Sequence, residues 1–297
     1  MDVRLSDAGP FASKSISGAS LKKRPTAYSL LERQIVEYVI NRQNDDGGYA
    51  FAQGLDSNAQ DTYFGLAILN VLGSPFPQKD RTAKWLQEFD LGSIYSYHYI
   101  SKSLTLCNQL LDSRFKGYVE SAASSRRFLS NKDVYVEVSS EFESTLMFLE
   151  LAMMLKIDPD LERTRRWLLR QRNEDGGFGT RGHSNINSTY HAIASLCLLE
   201  ANKEDLGKTT RFVRECERPY GGFAVIPGVA SLYMEHTYYG VMTLGLLRID
   251  SRFPMQTIDF VLKCQRGNGG FARSDLGIST FENTFQAVTI LRRLNVL

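Results

Sequence analysis

Asp61-Thr62-Tyr63 and Glu235-His236-Thr237-Tyr238-Tyr239 each set ionisable side chains immediately ahead of a threonine and an aromatic ring. Asp61, Glu235 and His236 are therefore candidate catalytic groups, since carboxylates and imidazole are the common general acids and bases. Asp61 has an alternative role as a helix N-cap, and Ser188 and Asn283 stand ready for that role at matching places. His is a weak cap, which sets His236 apart as the group that titrates nearest neutral pH. Glu141, Glu143 and Glu282 lie beside other threonines of the same kind. Gathered at one rim, such carboxylates raise one another's pKa and one becomes a proton donor; solvation or pairing with arginines is the alternative. Arg181 and Lys102 are candidate cations for an anionic ligand, or plain loop charges. Tyr63, Tyr190, Tyr238, Tyr239 and Phe285 recur at one level and are either a substrate-binding wall that steadies carbocations or ordinary core.

What must position these residues is a repeat. Gly47-Gly48-Tyr49, Gly176-Gly177-Phe178, Gly221-Gly222-Phe223 and Gly269-Gly270-Phe271 each follow an amphipathic stretch such as Trp167 to Gln171. The glycines are expected to end that helix in a turn with positive φ. About a dozen residues later a second anchor opens an apolar helix: Thr62, Thr189, Thr237 and Thr284, each followed by an aromatic. Two copies without glycines keep an anchor at Ser103 and Thr145. A period in the forties that holds two helices reads as a helical-pair repeat. Six copies fill residues 27 to 297 as one domain, leaving residues 1–26 as a flexible or wrapping leader.

The first helix of each pair is charged and amphipathic, as in Leu31 to Tyr38, and the second is small and apolar, as in Leu66 to Leu72. The first should face solvent and the second the interior, with Leu66, Leu196 and Leu244 toward the central axis. The predicted fold is all-α, an α/α toroid of inner and outer helices; open stacking of the same pairs is the alternative. All six inner N-termini then gather on one rim, where free N–H groups and helix dipoles favour anions.

Hydrophobic residues at 43% suffice for a large core, yet no apolar run approaches the ~18 residues of a membrane span. A net charge of +2 with interspersed signs offers no broad basic face for nucleic acid. Cys107, Cys197, Cys216 and Cys264 are far apart and read as reduced thiols of a cytoplasmic chain.

The stretches Gln171 to Gly179, Cys264 to Phe271 and Gln43 to Tyr49 resemble the repeat shared by protein prenyltransferase β-subunits and the squalene and class II terpene cyclases. The resemblance covers about nine-tenths of the chain and implies a toroid whose aromatic-lined cavity takes isoprenoid chains. It implies as ligand an isoprenoid diphosphate or another apolar small molecule, with a protein partner as a further possibility. It does not imply a reaction: prenyl transfer is the leading reading, a single-domain terpene cyclase using a rim carboxylate other than the usual acid the alternative, and a non-catalytic interaction scaffold the third. His236-Thr237 is similar to the His-Thr of the prenyltransferase zinc site, while Ser184 and Ile186 stand where that family has its Asp and Cys. Zinc or magnesium are the ions the resemblance suggests, on an incomplete ligand set. Asn58-Ala59-Gln60-Asp61-Thr62-Tyr63 occupies the place of the cyclases' acidic box, with Gln60 at the proton donor's position. Arg181 resembles a diphosphate-binding arginine of the prenyltransferases.

Overall fold

A computed structural model describes residues 26–125, 140–157, 161–200 and 206–297. The leader proposed for residues 1–26 falls almost wholly outside them. Among the described residues six outer helices, α1 (Thr26–Ile40), α3 (Lys79–Glu88), α5 (Ser113–Ser125), α7 (Leu161–Arg170), α9 (Gly207–Cys216) and α11 (Pro254–Lys263), alternate with six inner ones. The inner helices are α2 (Ala59–Leu72), α4 (Ile94–Leu106), α6 (Glu141–Met154), α8 (Ile186–Leu198), α10 (Met234–Leu246) and α12 (Phe281–Arg293). The inner helices pack in the cyclic order α2, α4, α6, α8, α10, α12 and back to α2, so the ring is closed. The outer helices alternate exposed charges with a narrow buried stripe, Thr164 and Leu168 in α7 for example, whereas α8 buries almost every side chain.

Both sequence anchors are halves of one fastening. The backbone N–H of the aromatic after each glycine pair donates to the anchor threonine's Oγ1: Tyr49 to Thr62 at 2.9 Å, Phe178 to Thr189 at 3.0 Å, Phe223 to Thr237 at 3.2 Å and Phe271 to Thr284 at 2.9 Å. The hydroxyl in turn donates down its own helix, as from Thr284 to the Thr280 carbonyl at 2.6 Å. Phe271 is fully buried, so its N–H has no recourse to water. Thr284→Val should therefore cost about 1–3 kcal/mol, the desolvation of an unmet buried donor. Chemical denaturation would measure it, and a change below a few tenths would remove the fastening as a source of stability.

The turns also join neighbouring repeats. Gly47, Gly176 and Gly221 lie against the first turns of α3, α9 and α11, where Thr82 and Thr209 donate to the Gly47 and Gly176 carbonyls at 2.7 Å. At the closing seam Gly269 meets the backbone of Gln34 in α1, and Phe281 packs its ring on Tyr38 and Tyr49.

Three expectations change. The second repeat's anchor is not Ser103: Ser93 caps α4 and Tyr97 holds the anchor's place, because that repeat has a short connection without the glycine pair. Asp61, Ser188 and Asn283 are not the N-caps either; Asn58, Asn185 and Thr280 accept from their backbone N–H groups. Leu66 lies four residues past its anchor, and Leu196 and Leu244 seven. Helical periodicity thus turns them to the anchor's side, toward the outer ring and away from the axis. All three are buried there. Among the described residues the cysteines are free, and no helix is long and apolar enough to cross a membrane.

Candidate functional site

With the anchors aligned, the residue two before each anchor points over the lumen at the inner N-termini. These residues are Gln60, Tyr95, Glu143, Asn187, Glu235 and Glu282. A cavity of about 510 Å³ opens there, lined by Gln60, Asp61, Asn187, Glu235, Glu282 and Asn283 from the helix starts and by Phe51, Tyr239, Arg273 and Thr280 around them. This is the size of a small-molecule site.

The mouth is acidic. Burial first, then the nearby charges of Glu143, Glu235 and Asp61, push the Glu282 carboxyl up to about 7. Gln60 and Gln286 donate amide N–H groups to it at 3.4 and 3.2 Å. Burial also raises Glu143, against the Tyr95 hydroxyl that donates to it at 3.3 Å. Asp61 is raised by burial against a 2.7 Å bond from the Asn58 amide. Glu235 instead accepts from Arg273 Nε at 2.6 Å, and Arg273 lies 4.1 Å from the Tyr233 ring centre. His236 Nε2 is 3.8 Å from Glu235, and burial lowers its pKa, so at neutral pH the imidazole is uncharged.

Below the mouth the lumen is aromatic. Tyr190 contacts Tyr238 and Tyr239 at 5.8 and 5.0 Å, Tyr238 contacts Phe285 at 6.1 Å, and Phe285 contacts Tyr63 at 6.2 Å. Tyr99 continues the wall 5.6 Å from Tyr63. The structure thus brings the sequence's aromatic candidates together and sets Asp61 and Glu235 at the mouth, with His236 against Glu235. Arg181 sits on an exposed three-residue turn and does not line the cavity. Lys102 is not on the rim, as the misplaced anchor had implied, but well down α4. Its Nζ lies 3.0 Å from Glu150 Oε2, which also meets His98 Nε2 at 2.6 Å.

Arg273, Glu150 and His98 are functional candidates the sequence reading missed. Arg273 had a signal, two residues past Phe271. Lys102 and Glu150 stand five residues past their anchors on adjacent helices, a match hidden by the wrong anchor in α4.

A zinc site of the transferase kind does not fit this rim. Ser184 spends its hydroxyl on Asp175 at 2.7 Å and Ile186 is fully buried. The carboxylate nearest His236 is held by Arg273. Among the described residues no three His, Cys, Asp or Glu side chains converge to hold a metal.

Comparison with known proteins bears on the fold. The chain superposes on Candida albicans protein geranylgeranyltransferase-I, solved with GGPP, with a TM-score of 0.70 at 16% identity over 89% of this chain and 91% of that one. It superposes on the type II terpene cyclase MstE from Scytonema with a TM-score of 0.57 at 13% identity over 91% and 98%. A variant of that cyclase in complex with geranylgeranyl dihydroxybenzoate gives 0.59 at 12% identity over 91% and 98%. No curated protein matches the chain significantly in sequence. The family model of the prenyltransferase alpha-alpha toroid domain matches residues 16–92 and 141–296. With most of its length matched and a closed ring of helix pairs behind that match, this chain belongs to the prenyltransferase alpha-alpha toroid domain family.

Proposed function

We propose that this toroid binds a neutral, oxygen-bearing isoprenoid and that Glu282 donates a proton to the ligand's oxygen at the mouth. The observation that carries the reading is the set of carboxylates, Asp61, Glu143, Glu235 and Glu282, over an aromatic lumen, with Glu282 pushed up to about 7. A carboxyl that keeps its proton near neutral pH is matched to general-acid work. Protonation of an alcohol or epoxide oxygen lets the C–O bond break, with the electron pair leaving on oxygen. The carbocation faces the Tyr239 and Tyr99 rings; an internal double bond can attack it, forming a C–C bond and passing the positive charge to a new carbon, and loss of a proton to the carboxylate of Asp61 or Glu143 ends the sequence by forming a double bond. This is cyclase-like or isomerase-like chemistry begun by a carboxyl other than the residue at Gln60.

Prenyl transfer from a diphosphate, with or without a protein partner, is the competing reading, and it asks the mouth for cations. Arg273 is already engaged by Glu235, Lys102 is paired with Glu150, and Arg181 lies off the cavity. Charges ~6 Å apart at an effective dielectric of ~20 repel by roughly 3 kcal/mol before screening. In buffer without divalent ions, geraniol is therefore expected to bind at least about ten-fold tighter than geranyl diphosphate. Calorimetry decides it: tighter binding of the diphosphate would restore transfer, and no binding of either would favour the scaffold reading. Product analysis on isoprenoid alcohols and epoxides then tests the reaction itself.

A further inference from the structure

The acid at the mouth leaves one polar group of the lumen unused. Glu143 and Glu150 lie on one face of α6, seven residues apart, and Tyr95 and Lys102 hold the same relation on α4. Residues seven apart in a helix share a face, so Lys102 and Glu150 look into the same lumen as the mouth, about 10 Å deeper. Lys102 reaches between neighbouring inner helices: its Nζ is 5.2 Å from the Tyr63 ring centre on α2 and 3.0 Å from Glu150 on α6. At that level the flanking helices α2 and α8 present only Ala67 and Ala194, and across the lumen α10 and α12 present Met242 and Thr289, whose hydroxyl is already donated to the Phe285 carbonyl.

This pair is not closed off. Lys102 keeps 24% of its side-chain surface open and Glu150 16%, although both lie inside the ring. Glu150 takes both His98 and Lys102 on Oε2, leaving Oε1 for another donor. Lys102 has three N–H donors, of which Glu150 and the Tyr63 hydroxyl engage two. The lumen therefore shows one donor and one acceptor side by side, with no net charge between them. Pressing hydrocarbon against them would strip water from an ion pair and return nothing. A carboxylate would meet Glu150 and an ammonium would meet Lys102. A hydroxyl, which donates and accepts together, satisfies both.

We infer that Lys102 and Glu150 form a recognition point for a second, hydroxyl group at the inner end of the ligand, some 10 Å below the mouth. The inference rests on the isoprenoid reading above and narrows it to a substrate oxygenated at both ends. That spacing suits an extended ten-carbon chain. Geraniol and 8-hydroxygeraniol differ only in the inner hydroxyl and serve as probes.

Calorimetry on the wild type should show the diol binding ten- to hundred-fold tighter than geraniol, the worth of one hydrogen bond to a charged group. The Lys102→Met/Glu150→Met double variant removes the pair without leaving one charge stranded, and it should bind both probes alike. In the wild type, the lysine Nζ resonance of Lys102 should also move with the diol and stay put with geraniol, a readout that does not need the variant to fold. Equal binding of the two probes by the wild type, a still Nζ signal, or a preference that survives in the double variant would overturn the inference and leave the mouth chemistry standing. Binding of neither probe would remove the isoprenoid reading and this inference with it.

Discussion

Glu282→Gln is expected to lower turnover of an isoprenoid alcohol or epoxide by about 10²–10⁴-fold, the usual worth of a positioned general acid. The amide keeps the shape and one acceptor oxygen for the amide N–H of Gln60 or Gln286, but has no acidic proton to give. In the wild type the active form is the protonated one, so the rate should fall as pH rises through about 7. Stability gives a second readout of the opposite sign. Glu282 ionises near 7 in the folded chain against an ordinary value of 4.5. Its raised pKa means that the folded state holds the proton longer, and stability drops between those two pH values as the charge is forced among Asp61, Glu143 and Glu235. Glu282→Gln should match the wild type at pH 4 and exceed it at pH 8 by on the order of 1–3 kcal/mol. A pH–rate profile flat across neutrality, or a variant that is both active and no more stable at pH 8, would release Glu282 from this role.

The ring was legible from the sequence because glycine pairs and threonines are local demands. Gly269 must take φ +90°, and Thr284 must meet the Phe271 N–H, so both residue types recur together in four of the repeats. The second repeat lacks the glycines, and reading it by spacing alone slid its anchor from Tyr97 to Ser103. That slip carried Lys102 from mid-helix to the rim and made it look like part of an anion seat. The pairing of Lys102 with Glu150 is a contact between helices 48 residues apart in sequence, and only the packing of α4 on α6 creates it. The acidic mouth was half legible. Glu143, Glu235 and Glu282 stood out beside their anchors, but the proximity that raises Glu282 arises from closing the ring of α6, α10 and α12 around one opening. Arg273 was overlooked in favour of Arg181, one residue further along its own repeat. A single extra residue after the glycine-aromatic turn moves a side chain from the cavity edge to the outside of a tight turn.

The closing seam yields the other large effect. At Gly269, with φ +90°, a Cβ would stand 2.2 Å from the Gln34 carbonyl oxygen, a backbone atom of α1 that cannot rotate away. Gly54 has a similar φ of +84°, yet a Cβ there would meet nothing within 4 Å. Alanine at either position is strained in the left-handed region, at roughly 1–3 kcal/mol, offset slightly by the reduced entropy of the unfolded chain. Only Gly269→Ala adds the overlap, worth about 1–3 kcal/mol more, and relieving it means pulling α11 from α1 and opening the ring where its two ends meet. Gly269→Ala should therefore destabilise by about 3–5 kcal/mol and Gly54→Ala by about 1–2 kcal/mol. At this chain length the larger loss lowers Tm by about 5–8 °C. Because φ is nearly matched, the difference between the two variants isolates the contact that closes the toroid. Equal losses would mean that backbone strain alone selects glycine and that the α1 seam contributes little to holding the ring shut. A Gly269→Ala chain that stays helical but no longer binds geraniol would place the seam between the fold and the lumen it encloses, since an opened ring keeps its helix pairs and loses its cavity.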